Sequence, residues 1–175
     1  MNTLSYGLLA LLSVGPRTGY DLSQRVKPLW QAGHSQIYPL LSQLEQSGYI
    51  TFELIEQSDK PDKKEYTITE SGLAELSEWV GDSAGKPVLK DDLHIKLYAI
   101  WLAEPEKARQ LLQARAAFCL SELERYQLLM DNVEKDRSSD GGKKHFGRYL
   151  LIRKRVMDVE ANLQFCKWAL SELGS

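Results

Sequence analysis

The chain predicts a mainly α-helical protein in two parts. The first half holds three helices, a β-hairpin and a fourth helix, and the second half is helical throughout. Three observations carry this. Apolar residues recur at spacings of three and four along most of the sequence. Between residues 49 and 69 that rhythm gives way to alternation on either side of a polar turn. From Leu112 onward, two long segments hold a heptad spacing.

Taken in order, Leu4, Leu8, Leu11 and Leu12 form the stripe of a first helix that Gly15-Pro16 stops. Thr18-Gly19-Tyr20-Asp21 reads as a capping box, with the Thr18 hydroxyl accepting from the helix start and Asp21 reaching back. The helix that follows turns Leu22, Val26 and Leu29 inward. Gly33 breaks the chain and Ser35 offers an N-cap for a third helix, which puts Pro39 at its fourth position. Gly48 supplies a left-handed exit. Ile50, Phe52 and Leu54 then alternate with Tyr49, Thr51 and Glu53, and a second strand, Lys64 to Thr69, sets Tyr66 and Ile68 on one side. Between them Gln57 to Lys63 makes a charged hairpin tip. Thr69 caps a fourth helix in which Leu73, Leu76 and Val80 recur, until the stretch from Gly81 to Pro87 breaks the pattern.

The boundary therefore separates a domain over residues 1–82 from one over 88–175. In the second, Asp92 caps a segment with Leu93, Leu97 and Trp101 inward, and Pro105 opens a long helix to about Arg137. Leu112, Ala116, Cys119, Leu123, Tyr126, Met130 and Val133 form its seam, and after Ser138 to Gly142 the last helix repeats the arrangement with Tyr149, Ile152, Val156, Val159, Leu163, Cys166 and Leu170. Phe165, Trp168 and Leu173 widen the second stripe beyond what one partner helix covers. A second subunit is the economical partner. The expected homodimer interface is Leu112, Cys119, Leu123, Tyr126, Met130, Tyr149, Ile152, Val156, Val159, Leu163 and Phe165.

Composition narrows the functional classes. With 43% hydrophobic residues the chain can build a core. Its purely apolar runs, such as Leu8 to Leu12, fall far short of the roughly 20 residues that span a bilayer, so no membrane association and a cytoplasmic location are expected. Cys119 and Cys166 lie 47 positions apart inside helical patterns and read as buried thiols rather than metal ligands or a disulfide. No cofactor or metal is expected. Three scattered histidines, no glycine-rich phosphate loop and no nucleophile with its base argue against an enzyme.

The order helix, helix, helix, hairpin, helix is that of a winged helix-turn-helix domain. Its third helix has an unusual outer face. At about 100° per residue, Ile37, Leu40, Leu41 and Leu44 share one arc, while Ser35, Gln36, Pro39, Ser42, Gln43 and Gln46 lie opposite, with Tyr38 at the flank. An ordinary solvated face carries Lys and Glu. This one carries groups sized for a major groove and able to donate and accept at base edges. Charge points the other way. Residues 1–85 hold 6 Lys and Arg against 11 Asp and Glu, a balance of −5, so double-stranded DNA would have to be met by a few well-placed cations. The alternative is a winged-helix protein-interaction module without sequence-specific DNA binding.

Thr3-Leu4-Ser5-Tyr6-Gly7-Leu8-Leu9-Ala10-Leu11-Leu12, Gly15-Pro16-Arg17-Thr18-Gly19-Tyr20-Asp21-Leu22, Gln36-Ile37-Tyr38-Pro39-Leu40-Leu41 and Pro61-Asp62-Lys63-Lys64 with Tyr66-Thr67-Ile68-Thr69 and Gly72 together resemble the PadR family of bacterial transcriptional regulators. The second half looks like the larger effector and dimerisation domain of AphA-type virulence activators. The resemblance implies a homodimeric winged-helix protein, commonly a repressor, with Tyr38, Pro39 and their polar neighbours against DNA and the hairpin tip on backbone or minor groove. It also implies a candidate small-molecule effector of hydrophobic or phenolic type. This chain has His-Ser-Gln at 34–36 and Gln at 43 where many relatives carry a basic residue, so their operator sequences do not transfer.

The division of labour expected from the residues puts Gln36 and Gln43 on base edges. Ser35, Tyr38, Pro39 and Ser42 fix position, and Lys60, Lys63 and Lys64 meet phosphates. The start of the second helix, near Arg17, Thr18 and Tyr20, is a further phosphate seat. Trp30, Trp79, Trp101 and Trp168 are read as core or interface, with an effector pocket as the alternative.

Overall fold

A computed structural model describes residues 1–27, 30, 33–56, 63–87, 90–139 and 143–174. It separates two compact units, Met1–Lys86 and Pro87–Ser175. The first contains α1 (Thr3–Leu12), β1 (Arg17–Thr18), α2 (Gly19–Arg25), α3 (His34–Gln46), β2 (Ile50–Ile55), β3 (Lys63–Ile68) and α4 (Glu70–Gly81). The second contains α5 (Asp92–Tyr98), a short 3₁₀ turn at Ile100–Leu102, α6 (Pro105–Ser139) and α7 (Lys143–Glu172).

In the first unit the three helical stripes close on one core. Leu4, Leu8, Leu9 and Leu12 of α1 meet Leu22 and Val26, Ile37, Leu41 and Leu44 of α3, Ile50 and Tyr66. Each buried aliphatic side chain contributes about 1.5–3 kcal/mol, so this cluster is what sets α3 firmly against the body. The hairpin is as expected except that a third strand joins it. The sheet runs β1-β3-β2, antiparallel throughout, with Arg17 opposite Tyr66 and Phe52 opposite Tyr66 on the other side. Two residues are too short to give a periodicity, so β1 left no trace in the pattern.

Caps explain where α3 begins and ends. Gly33, not Ser35, is its N-cap, and the Gln36 side-chain oxygen accepts from the Gly33 N–H at 3.2 Å. Starting two residues earlier makes Pro39 the sixth helical residue, not the fourth. Its missing N–H leaves the carbonyl of Ser35 to water, which the exposed outer face permits. At the other end Gly48 has φ +74°, its N–H donates to the Glu45 carbonyl at 2.9 Å and that of Tyr49 to Leu44 at 3.0 Å, a Schellman closure. Thr18 accepts from the Asp21 N–H as an N-cap, but the Asp21 carboxylate does not complete the box, because Arg17 and Arg25 engage it.

Four side-chain placements are corrected. On α4 the buried face is Gly72, Leu76 and the half-buried Trp79, which stacks on Tyr6 with ring centroids 4.4 Å apart, while Leu73 and Val80 are exposed. Leu54 lies beyond the end of the core and is exposed. Trp101 sits in the 3₁₀ turn, which interrupts the helical phase, and is 78% exposed. The α5 cap is Asp91 rather than Asp92, accepting from the Leu93 N–H. Leu29 and Lys60 lie outside the described residues.

The second unit is an αα-hairpin of α6 and α7 with α5 bound to its side. Arg109 donates to the Leu173 carbonyl at 2.6 Å, and Arg115 reaches Asp91 at 2.7 Å. The heptad seam is present, but it closes within one chain. Leu112, Cys119, Met130, Ile152 and Leu163 are already buried against the opposite helix, so they are not an open surface for a second copy. An antiparallel hairpin and a dimer satisfy the same spacing, because either supplies one facing helix. Leu123, Tyr126, Tyr149, Val156, Val159 and Phe165 remain half-buried. Both cysteines are buried free thiols, and burial pushes both above the ordinary range.

Candidate nucleic-acid interface

The start of α2, the outer face of α3 and the first residues of β3 enclose a groove of about 470 Å³. Thr18, Gly19 and Tyr20 form one wall, Tyr38 and Ser42 another, and Lys63, Lys64 and Tyr66 the third. Five residues singled out from the sequence thus converge here: Tyr20, Tyr38, Ser42, Lys63 and Lys64. No carboxylate is among the described residues that line it. Tyr20 is 66% exposed and Tyr38 47%.

Tyr38 does not extend straight out from α3. Its ring lies across the first residue of α2, so closely that a Cβ on Gly19 would come within 2.8 Å of Cε1. Lys64 bends over the Phe52 ring, Nζ 3.6 Å from the centroid, which fixes the ammonium on the sheet face at the edge of the groove. Tyr66 forms the floor, and burial raises its phenol above the ordinary range.

The remaining predicted residues fall into two groups. Ser35, Gln36, Pro39 and Gln43 are all exposed on the same helix, outside the groove. Gln36 is engaged at the N-terminus of α3, which leaves Gln43 the better placed of the two carboxamides. Arg17 is committed elsewhere: Nε donates to the Leu11 carbonyl at 3.3 Å and Nη1 to Asp21 at 3.1 Å. That occupancy removes it from the expected phosphate seat. Thr18 lies here as its place beside the expected phosphate seat requires, whereas Gly19 and Tyr66 were not anticipated as groove residues. For Gly19 no pattern could have shown it, because the reason is a side chain arriving from another helix.

A second cleft, about 380 Å³, lies between α5 and α6 and is lined by Asp92, Leu93, Lys96, Leu111, Arg115 and Phe118. None of the four tryptophans lines either space. Among the described residues no group of three or more His, Cys, Asp or Glu side chains could hold a metal ion, and no helix is long and apolar enough to cross a membrane.

Comparison with known proteins finds matches over both units. Residues 8–78 match the transcriptional regulator PadR-like family and residues 89–174 the virulence activator alpha C-terminal family. The negative transcriptional regulator PadR of Bacillus subtilis (strain 168) is 36% identical over 183 residues, covering 99% of this chain and 97% of that protein. The chain belongs to the PadR-like family of transcriptional regulators. Among solved structures, Bacillus subtilis PadR in complex with operator DNA superposes with a TM-score of 0.86 at 30% identity, over 98% of this chain and 99% of that one. The same PadR in complex with p-coumaric acid gives 0.78 at 27% identity, covering 98% and 96%. The Vibrio cholerae virulence activator AphA shares the fold, with a TM-score of 0.70 at 23% identity over 98% of each chain. The PadR-family relatives are regulators, not enzymes.

Proposed function

We propose that this PadR-family protein is a cytoplasmic repressor that binds a palindromic operator as a homodimer and is released by a small hydrophobic or aromatic effector. The observation that carries DNA binding is the convergence of Tyr20, Tyr38, Ser42, Lys63 and Lys64 on one groove, with no carboxylate among the described residues that line it, beside the exposed polar face of α3. In this reading Gln43 reads a base edge, and Gln36 does so only after giving up its bond to Gly33. Ser35, Pro39 and Ser42 set register, while Lys63, Lys64 and the hairpin-tip Lys60 meet phosphates. Two α3 helices one duplex turn apart, about 34 Å, then match a two-fold operator. The half-buried members of the C-terminal stripe, Leu123, Tyr126, Tyr149, Val156, Val159 and Phe165, are left for a second copy.

The operator complex of PadR supports the DNA reading, and its p-coumaric acid complex supports the effector class. The test is selection of duplexes from a randomised library, followed by fluorescence anisotropy on the enriched and scrambled sequences at two salt concentrations. Tight, salt-sensitive binding that prefers the enriched duplex is expected. Failure to enrich, or equal binding to both, overturns the reading in favour of a protein-interaction module. Calorimetry with p-coumaric acid, with and without the duplex, tests coupling; equal affinity in both states rules it out.

A further inference from the structure

We infer that Gly19 is a positioning residue: its bare Cα is the seat on which the Tyr38 ring rests, and this seat fixes the tyrosine in the DNA groove. The inference rests on the DNA-binding reading of that groove and adds a residue that acts through Tyr38.

Three observations lead to it. First, Gly19 is not required by the backbone. Among the described glycines only Gly15 and Gly48 have positive φ, so any residue could adopt the Gly19 conformation. Second, Gly19 is the first residue of α2, directly after the Thr18 cap, where alanine is ordinarily the better helix former. Helix stability alone would therefore favour replacing it. Third, the three atoms that a Cβ there would meet first all belong to the far end of the Tyr38 ring: Cε1 at 2.8 Å, Cζ at 3.4 Å and the hydroxyl oxygen at 3.5 Å. These distances make the Tyr38 ring the first thing that a side chain at position 19 would displace.

The consequence differs from an ordinary overpacked core. Tyr38 is 47% exposed, so the ring has solvent to swing into, and an added methyl displaces it without prying elements apart. The swing moves the ring and hydroxyl out of the groove wall that Tyr38 forms with Ser42. Binding geometry suffers while the fold does not.

The experiment is a double-mutant cycle on the full chain with Gly19→Ala, Tyr38→Ala and both together. Anisotropy on the duplex enriched by the wild type is measured beside the thermal midpoint. Gly19→Ala is expected to weaken binding about tenfold, about 1.4 kcal/mol, with its melting midpoint equal to or above wild type. In the Tyr38→Ala background the same methyl should have no further effect on binding, because the ring it displaces is gone. Wild-type affinity for Gly19→Ala, or an equal loss in both backgrounds, overturns the inference. If the wild type enriches no duplex, the DNA reading fails by itself. The seat is then decided by the NMR signals of the Tyr38 ring, which shift in Gly19→Ala if the inference holds and stay in place if it does not.

Discussion

Gly72→Ala should cost the N-terminal unit far more than its chemistry suggests, because the obstacle to the new methyl is backbone. The first turn of α4 is docked on residues 48–49: the Thr69 N–H donates to the Tyr49 carbonyl at 3.0 Å, and the Thr69 and Ser71 hydroxyls donate to the Gly48 carbonyl at 2.7 and 2.9 Å. A Cβ on Gly72 would overlap the Tyr49 carbonyl oxygen and come within 2.9 Å of Ile68 Cγ1. The carbonyl, being backbone, cannot rotate away, so α4 must lift from the α3–β2 junction. Overpacking of this kind costs about 1–3 kcal/mol, and weakening the Thr69–Tyr49 bond adds about 1. Alanine returns about 1 kcal/mol of helix propensity, which leaves a net loss of about 2. For a unit of this size that is a fall of about 8–16 °C in melting temperature. Circular dichroism melts of Gly72→Ala beside Gly81→Ala isolate the effect, since a Cβ on Gly81, on the same helix, meets nothing within 4 Å. If Gly72→Ala melts at or above the wild type while Gly81→Ala does the same, the steric argument is wrong.

The other expected outcomes can be checked with similar economy. Gly48→Ala meets no atom within 4 Å, so its cost is purely that of φ +74°, about 1–2 kcal/mol by chemical denaturation, and Gly48→Asn should lose less. Lys63→Ala should weaken binding to enriched and scrambled duplexes alike and lower the salt slope by about 1, whereas Gln43→Ala should lose about 1–3 kcal/mol of discrimination and leave the slope alone. Asp91 accepts from the Leu93 N–H and lies beside Arg115, and both hold its carboxyl below the ordinary range. Its contribution is therefore complete above the unfolded value of about 3.9 and disappears as pH falls through the lower folded value, so Asp91→Asn should flatten the acid limb of a pH–stability profile for the second unit.

What could be read from the sequence was whatever a single helix or strand decides for itself. Ile37, Leu40, Leu41 and Leu44 bury as their spacing requires, and Thr18, Gly48 and Thr69 act at the ends they were expected to close. What could not be read depends on a second element. The exposure of Leu73 and the burial of Gly72 follow from where β2 begins, and the Gly19–Tyr38 contact from how α2 meets α3. The heptad seam shows the same limit from another side. Leu112, Cys119 and Ile152 demanded a facing helix, and nothing in their spacing said that the same chain would supply it.

The charge of the first half illustrates why a sum is a poor guide to a surface. Its acidic excess is real, but Asp21 of α2 is paired with both Arg17 and Arg25, and Glu70, Glu75 and Glu78 of α4 do not line the groove. Glu75 is itself occupied, accepting from the Tyr6 hydroxyl at 2.7 Å and helping to push that phenol up to about 12. On the proposed interface, the described residues of the groove supply only Lys63 and Lys64 as cations, and the sequence-independent attraction that dominates non-specific binding should then be small. A protein built this way gains little by resting on random duplex. The larger share of its affinity has to come from the fit of α3 in the groove, and the ratio of operator to random binding should be correspondingly high even at low salt.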